Sequence, residues 1–361
     1  MKNKLTYILL SIATLFLLYA AYFFTIKYLD KKILGSTDVF MSAKNKQIPN
    51  YIIPTDFIDG ERFYIKLPIA DNDTIMAFGD TGGGISFITP KTLNKQAIKS
   101  NLRYGILKGI MPLQYILYKD LVKDINFPIP YLNKNLIIRN PFRRVTSPFL
   151  MIPPLDDELK FMLEAQPEMD VFLGQTFFMG HSWTLDYPNE QIMVNTPLHD
   201  SLVNQPNIQK LGFKKNANQE KLFGHPSMTV IIERDTIDVL FDTGASMVLS
   251  EEGKKLLYID KKTSGGSFIA ASIFNKWRKE HPEWKHYPKA DLAGDVIEVP
   301  IVNINGHEIG PVLFAMRQDK VWSEGMIKSM DKVVKGAIGG TALKFFKITI
   351  DYNSELIKFE K

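Results

Sequence analysis

Two stretches of the 361-residue chain repeat one pattern: residues 72–84 read NDTIMAFGDTGGG, and residues 234–246 read RDTIDVLFDTGAS. In each, an apolar run typical of a buried strand comes directly before Asp-Thr-Gly, and a second apolar run follows. The triplets begin at Asp80 and Asp242, an offset of 162 residues (242 − 80). Because this period is too long for a solenoid unit, the pattern indicates a duplicated domain.

A second pair of similar segments closes each copy. Phe-Leu-Gly ends at residue 174 and precedes Trp-Thr-Leu-Asp-Tyr, while Ala-Ile-Gly ends at residue 339 and precedes Ile-Thr-Ile-Asp-Tyr. From residue 174 to residue 192, seven of nineteen positions are identical to those 165 residues later, where about one match is expected by chance. The sequence therefore predicts a mostly β chain, with turns at 186–189 and 351–354 and short helices at 156–164 and 272–280.

The N-terminus carries the other strong signal, because residues 5–26 contain no charge and have lysines on both sides. About 20 apolar residues are enough for a helix to cross a bilayer. The alternative is a cleaved signal peptide, whose apolar region is usually about 7–15 residues long. We predict an uncleaved single-pass transmembrane helix, with the rest of the chain outside the cytoplasm, in the periplasm or at the cell surface.

Composition excludes several classes of function. The chain is 45% hydrophobic and 23% charged, which is typical of a folded core. A net charge of +5 is too small for a dedicated nucleic-acid binder. The absence of cysteine excludes disulfides and thiolate metal sites. None of the six histidines has the spacing of a metal ligand pair, so we expect no metal and no cofactor.

The two Asp-Thr-Gly triplets suggest a paired-carboxylate chemistry. A single triplet would be read as an ordinary turn, but two at equivalent positions place an ionisable group at the end of two buried strands. Two carboxyl groups that face each other share a proton, so one activates water while the other protonates a carbonyl. Thr81 and Thr243 can hydrogen-bond across a pseudo-twofold axis, and the following glycines allow tight turns.

With these motifs, residues 50–361 resemble the bilobal, single-chain form of the pepsin–retropepsin family of aspartic peptidases. The resemblance rests on the two triplets, each with its own hydrophobic-hydrophobic-Gly element. It implies two pseudo-twofold-related β-barrel lobes with a cleft between them. Asp80 and Asp242 match the catalytic pair, and the supporting loops are matched by Thr81, Gly82, Thr243 and Gly244. The implied domains are residues 1–34 (anchor and flanks), 35–197 (lobe 1), 198–221 (linker) and 222–361 (lobe 2).

The resemblance implies an aspartic endopeptidase that is active as a monomer on peptide or protein substrates. The chain departs from the family pattern at Gly79, where an apolar residue is usual, and at Gly83, where Ala or Ser is commoner. These departures favour the main alternative, a catalytically weak or inactive bilobal peptide-binding or scaffold protein on the membrane. A third possibility is a hydrolase of another type on a β-barrel. Candidates for the substrate-covering flap are residues 104–110 and 264–267.

The residues after the triplets also predict the working pH. In the resembled family, a hydroxyl at this position can donate to the catalytic carboxylate and lower its pKa. Gly83 and Ala245 occupy the two positions here and cannot donate from a side chain. Ser246 lies one position further and is expected to point the other way along a strand. The sequence therefore predicts a weakly acidic to near-neutral optimum.

Overall fold

The computed structural model describes residues 2–34, 48–69, 73–107, 111–124, 126–132, 138–140, 142–145, 147–203 and 205–361. The predicted start of lobe 1 at residue 35 and the tip of the flap candidate, residues 108–110, lie outside these ranges.

The chain begins with helix α1 (Lys2–Leu34). Its segment Lys4–Leu29 is long and apolar enough to cross a membrane, with a mean hydropathy of 2.1. A signal sequence would have the same properties, so the helix alone does not decide between an anchor and a leader. The predicted apolar N-terminal helix is therefore present, and its topology stays a prediction.

The first half of the chain is built mainly of strands. Its strands are β1 (Tyr51–Ile53), β2 (Thr55–Ile58), β3 (Arg62–Pro68), β4 (Thr74–Gly79), β5 (Phe87–Ile88), β6 (Arg103–Leu107), β7 (Met111–Leu117), β8 (Ile138–Asn140), β9 (Arg143–Arg144), β10 (Phe149–Ile152), β11 (Val171–Leu173), β12 (Ser182–Asp186) and β13 (Gln191–Val194). Its helices are α2 (Gln96–Lys99), α3 (Tyr118–Leu121), α4 (Asp157–Ala165) and α5 (Gln175–Phe178), with 3-10 turns at Pro90–Asn94 and Asp200–Leu202.

The second half has the same character. Its strands are β14 (Ile208–Lys210), β15 (Ser227–Ile232), β16 (Asp235–Phe241), β17 (Ser246–Val248), β18 (Thr263–Gly265), β19 (Ser267–Ala270), β20 (His286–Asp291), β21 (Gly294–Val299), β22 (Val302–Ile304), β23 (His307–Ile309), β24 (Val312–Arg317), β25 (Gly336–Ile338), β26 (Lys347–Asp351) and β27 (Leu356–Glu360). Its helices are α6 (Glu251–Leu257), α7 (Ala271–Glu280) and α8 (Gly340–Leu343), with a π-helical turn at Val321–Gly325 and a 3-10 turn at Met326–Lys328.

Each half contributes one large mixed sheet. The first has the order β2-β3-β4-β11-β5-β10-β7-β6-β8-β9, and the second has the order β20-β21-β24-β19-β25-β16-β15-β22-β23. Seven adjacent strands of the first sheet lie in the order β3-β4-β11-β5-β10-β7-β6. When these seven are numbered by their place in the chain, that order is 1-2-7-3-6-5-4. In the second sheet, seven adjacent strands lie in the order β15-β16-β25-β19-β24-β21-β20, which gives the same numbers. The two sets also have the same sequence of parallel and antiparallel pairings.

A third sheet contains strands from both halves, in the order β1-β13-β12-β26-β27-β14. At its centre β12 and β26 pair antiparallel, and Thr184 lies opposite Thr349 with their hydroxyls 3.0 Å apart. These two residues are one of the identical pairs at the 165-residue offset. The sheet therefore joins the two halves through equivalent strands, and β14 shows that part of the predicted linker at 198–221 is structured.

The sequence predicted the secondary structure well and the closure of the sheets poorly. Helices α4 and α7 confirm the predictions at 156–164 and 272–280, and the chain is mostly β as expected. The predicted β-barrels are wrong in detail, because none of the described sheets closes on itself: the edge strands β2 and β9 do not pair, nor do β20 and β23. The flap candidate at 264–267 is also wrong, since it is buried in β18 and β19.

Candidate active site

Asp80 and Asp242 each follow the end of a central strand, β4 and β16. Beside β4 runs the parallel strand β11, and beside β16 runs the parallel strand β25. The amide of Asp80 donates to the carbonyl of Leu173 at 2.9 Å, and the amide of Asp242 donates to that of Ile338 at 2.9 Å. Both predicted hydrophobic-hydrophobic-Gly elements therefore fix the backbone of an aspartate directly.

Four reciprocal hydrogen bonds join the two Asp-Thr-Gly loops. The amide of Thr81 donates to Thr243 Oγ1 at 3.1 Å, and the amide of Thr243 donates to Thr81 Oγ1 at 3.0 Å. The Thr81 hydroxyl donates to the Phe241 carbonyl at 3.0 Å, and the Thr243 hydroxyl donates to the Gly79 carbonyl at 3.1 Å. Both threonines are fully buried. Each hydrogen bond donated by one loop therefore has an equivalent donated by the other loop.

The two glycines of the triplets lie against the opposite carboxyl groups. A Cβ atom on Gly82 would lie 2.5 Å from Cγ of Asp242, and one on Gly244 would lie 2.1 Å from Cγ of Asp80. Real Cβ atoms do not approach that closely, so any side chain at either position would displace a carboxyl group. Glycine is therefore needed here for close approach to the opposite carboxyl group, in addition to the tight turn expected from the sequence.

The carboxyl groups of Asp80 and Asp242 lie close enough for a hydrogen bond between them to change the pKa of both. Two carboxyl oxygens can form such a bond only when a proton lies between them. The amide of Gly244 also donates to Asp242 Oδ1 at 3.0 Å, whereas the buried Asp80 Oδ1 has no hydrogen-bond partner among the described residues. The two environments therefore differ, although the loops are equivalent.

The surroundings raise the pKa of both groups. Burial raises the pKa of Asp80 well above its usual range, and the charge of Asp242 raises it further, while the amides of Gly82 and Gly83 oppose the shift. Burial also raises the pKa of Asp242, while hydrogen bonds from Asp80 and from the amides of Gly244 and Ala245 oppose the shift. Each residue keeps partial solvent exposure although its carboxyl group is surrounded by protein. With both pKa values raised, the pair keeps a proton to higher pH than a solvent-exposed aspartate does.

The departures at Gly79 and Gly83 are explained by neighbouring rings. A Cβ on Gly79 would lie 2.2 Å from Cε2 of Phe63, and one on Gly83 would lie 2.4 Å from Cζ of Phe172. Phe63 is fully buried, and Phe172 stacks on Phe87 with ring centroids 5.0 Å apart. Phe63 and Phe172 thus fill the space that a larger residue would occupy beside the first loop.

Arg62 is a residue of the site that sequence reasoning missed. It is almost fully buried at the start of β3, and its Nη1 donates to Ser246 Oγ at 3.1 Å and to Thr263 Oγ1 at 3.3 Å. The Ser246 hydroxyl in turn donates to the Gly244 carbonyl at 2.8 Å, which takes it away from Asp242 as the sequence predicted. A cation from the first half therefore supports the second loop, and no motif marks it.

His225 makes the corresponding contact with the first loop. It is buried, and its Nε2 donates to the Gly83 carbonyl at 3.1 Å, which leaves Nδ1 without a partner among the described residues. Burial lowers the pKa of His225, so the ring is neutral at physiological pH. In the sequence this histidine was weighed only as a metal ligand. The described residues contain no group of three or more His, Asp or Glu that could hold a metal ion.

No protein-family model matches the chain, and no curated protein matches it. Among solved structures, the chain is similar to the crystal structure of conglutin gamma, a unique basic 7S globulin from lupine seeds. The TM-score is 0.45 at 9% sequence identity, over 87% of this chain and 95% of that chain. A similarity at this level does not indicate a shared function.

Proposed function

We propose that the chain is a membrane-anchored aspartic endopeptidase, in which Asp80 and Asp242 activate water to hydrolyse peptide bonds. The observation that carries this proposal is the pair of facing carboxyl groups at the ends of two equivalent strands, each lying against the glycine of the opposite triplet. The reciprocal threonine bonds and the shared strand order of the two sheets support a pepsin-like arrangement of two pseudo-twofold-related lobes. Since both aspartates belong to one chain, the enzyme works as a monomer.

The difference between the hydrogen bonds of the two carboxyl groups supports a division of roles within this proposal. Asp242 accepts the Gly244 amide and is the better stabilised anion, so it acts as general base on the water. Asp80 carries the shared proton and donates it to the substrate carbonyl as water attacks, which gives a tetrahedral diol. The proton taken by Asp242 then passes to the amide nitrogen, the C–N bond breaks, and a diol proton returns to Asp80.

The proposal requires no cofactor, and its substrate is a peptide or protein segment. The raised pKa values of both carboxyl groups support a weakly acidic to near-neutral optimum, because the pair keeps its shared proton at higher pH. The apolar segment Lys4–Leu29 is the proposed anchor, and we propose that the two lobes lie outside the cytoplasm. Because Phe63 and Phe172 fill the space beside Gly79 and Gly83, these glycines are compatible with the proposed peptidase.

Replacing either carboxyl group tests the proposal. Asp80→Asn and Asp242→Asn in the full-length protein should each abolish cleavage of a peptide library, and the double variant should be no worse than either single one. A statine inhibitor should block the wild-type activity. The matched control is Asp170→Asn, which changes a carboxyl on a different loop and should leave cleavage intact. Near wild-type cleavage by Asp80→Asn would refute the mechanism.

A further inference from the structure

Helix α1 packs through Tyr22 and Ile26 against the hairpin formed by β8 and β9. The ring of Tyr22 meets the ring of Phe142 edge-on, with centroids 5.5 Å apart. Arg139 donates through Nη2 to the Ile26 carbonyl at 3.5 Å. Ile26 is only 7% exposed, whereas most of the apolar residues before it are more than half exposed. These contacts fix the position of the hairpin along the helix axis, at the level of Tyr22 and Ile26.

If the helix spans a bilayer, this position along its axis corresponds to the bilayer surface. The uncharged run of the helix ends at Ile26, and Lys27 is the first charge after it. Tyr22 lies five residues before Lys27 (27 − 22), which is about 7.5 Å at 1.5 Å per residue. Since the hydrocarbon core is about 30 Å thick, Tyr22 lies within its outer quarter when the helix spans the membrane. A side chain in contact with Tyr22 must then lie at the same depth.

The tip of the hairpin has the chemistry of a membrane interface. Phe142 is 53% exposed despite its contact with Tyr22, and the adjacent Arg143 is also exposed. In water an exposed phenylalanine gains nothing, but at the boundary of acyl chains and headgroups its ring is removed from water. An arginine beside it can extend its guanidinium to the lipid phosphates while its stem stays in apolar surroundings.

We propose that the β8–β9 hairpin is a second membrane contact, with Phe142 inserted into the phospholipid interface and Arg143 at the headgroup phosphates. The inference rests on the anchor part of the proposed function and is independent of the peptidase chemistry. It has a consequence for orientation, because β8 pairs with β6 through Ile106 and Arg139. The edge of the first sheet that carries the β6–β7 hairpin is thereby held against the membrane.

Single spin labels in the full-length protein test this contact directly, since the chain has no cysteine of its own. Phe142→Cys, Leu15→Cys and Tyr258→Cys are each labelled with a nitroxide in vesicles of phosphatidylcholine and phosphatidylglycerol. Leu15 lies within the apolar run, and Tyr258 is 95% exposed in the second half. We expect the Phe142 label to lose most of its relaxation by an aqueous nickel complex, as the Leu15 label does, while the Tyr258 label keeps it.

The controls separate the two parts of the proposal. If the Phe142 label is as accessible to nickel as the Tyr258 label while Leu15 is protected, the anchor stands and the hairpin contact is refuted. If the Leu15 label is also accessible, both the anchor and the hairpin contact are refuted. Arg143→Cys gives an independent reading next to Phe142, and a fully aqueous label there would likewise refute insertion of the tip.

Discussion

The reciprocal threonine bonds give a quantitative test of how the carboxyl pair is held. Thr243→Val keeps the shape of the side chain but removes its hydroxyl. The Gly79 carbonyl and the Thr81 amide, both buried, would then lose their partner. An unpaired buried polar group costs about 1–3 kcal/mol, so the two together predict a loss of roughly 2–6 kcal/mol in the free energy of unfolding.

The same change should reduce turnover, because the loop that carries Asp80 is held by the Thr243 hydroxyl at Gly79. A shift that costs the transition state only about 1.4 kcal/mol lowers kcat tenfold. We therefore expect kcat of Thr243→Val to fall about tenfold or more under conditions where the protein is still folded. Urea unfolding followed by the fluorescence of the four tryptophans, and cleavage of a quenched peptide, give the two quantities.

Two matched variants make the result specific. Thr243→Ser retains the hydroxyl and should keep most of the activity. Thr184→Val removes an equally buried hydroxyl, which bonds Thr349 and Thr196 in the sheet that joins the halves, remote in sequence from both triplets. It should destabilise the protein with little effect on kcat of the folded enzyme. Equal losses of kcat in Thr184→Val and Thr243→Val would refute a positioning role for the reciprocal bonds.

Two further predictions follow from burial at the site. Because the pKa of Asp80 is raised in the folded state, its contribution to stability is present below the unfolded pKa of about 3.9 and is lost as pH rises through the folded pKa. Asp80→Asn should therefore unfold at higher urea than wild type at neutral pH, and a gap that persists unchanged at pH 3 would contradict this. Gly79→Ala should cost about 1–3 kcal/mol by collision with Phe63, with partial recovery on adding Phe63→Leu. Gly84→Ala is the control, since nothing lies within 4 Å of its Cβ position, and an equal loss there would contradict the collision.

The local parts of the fold were predictable from sequence, and the long-range pairings were not. An apolar run before Asp-Thr-Gly indicates a strand end wherever it occurs, so Asp80 and Asp242 could be placed from the repeat alone. The sheet order depends on pairings such as Phe78 with Phe172, which are 94 residues apart (172 − 78) in the chain. Periodicity reports which residues are buried but not which strand buries them, so the open sheets could not be distinguished from closed barrels.

The contacts of Arg62 show the same limit at the site itself. In the sequence it begins an ordinary alternating strand, and nothing predicts that a buried guanidinium reaches Ser246 of the other half. Burying a cation is costly unless it is hydrogen-bonded, so the position is informative only when its partners are known. Sequence reasoning found the aspartates and threonines of the proposed site and missed Arg62 and His225, which contact the loops from the opposite half.

The glycines show how the structure changes the choice between enzyme and scaffold. Gly79 and Gly83 differ from the family pattern, but Phe63 and Phe172 fill the space beside them, so a small residue there is a packing solution. The informative positions are Gly82 and Gly244, whose Cβ atoms would collide with the opposite carboxyl groups. Glycine at both positions lets the two aspartates approach each other, which supports the proposed peptidase over the scaffold.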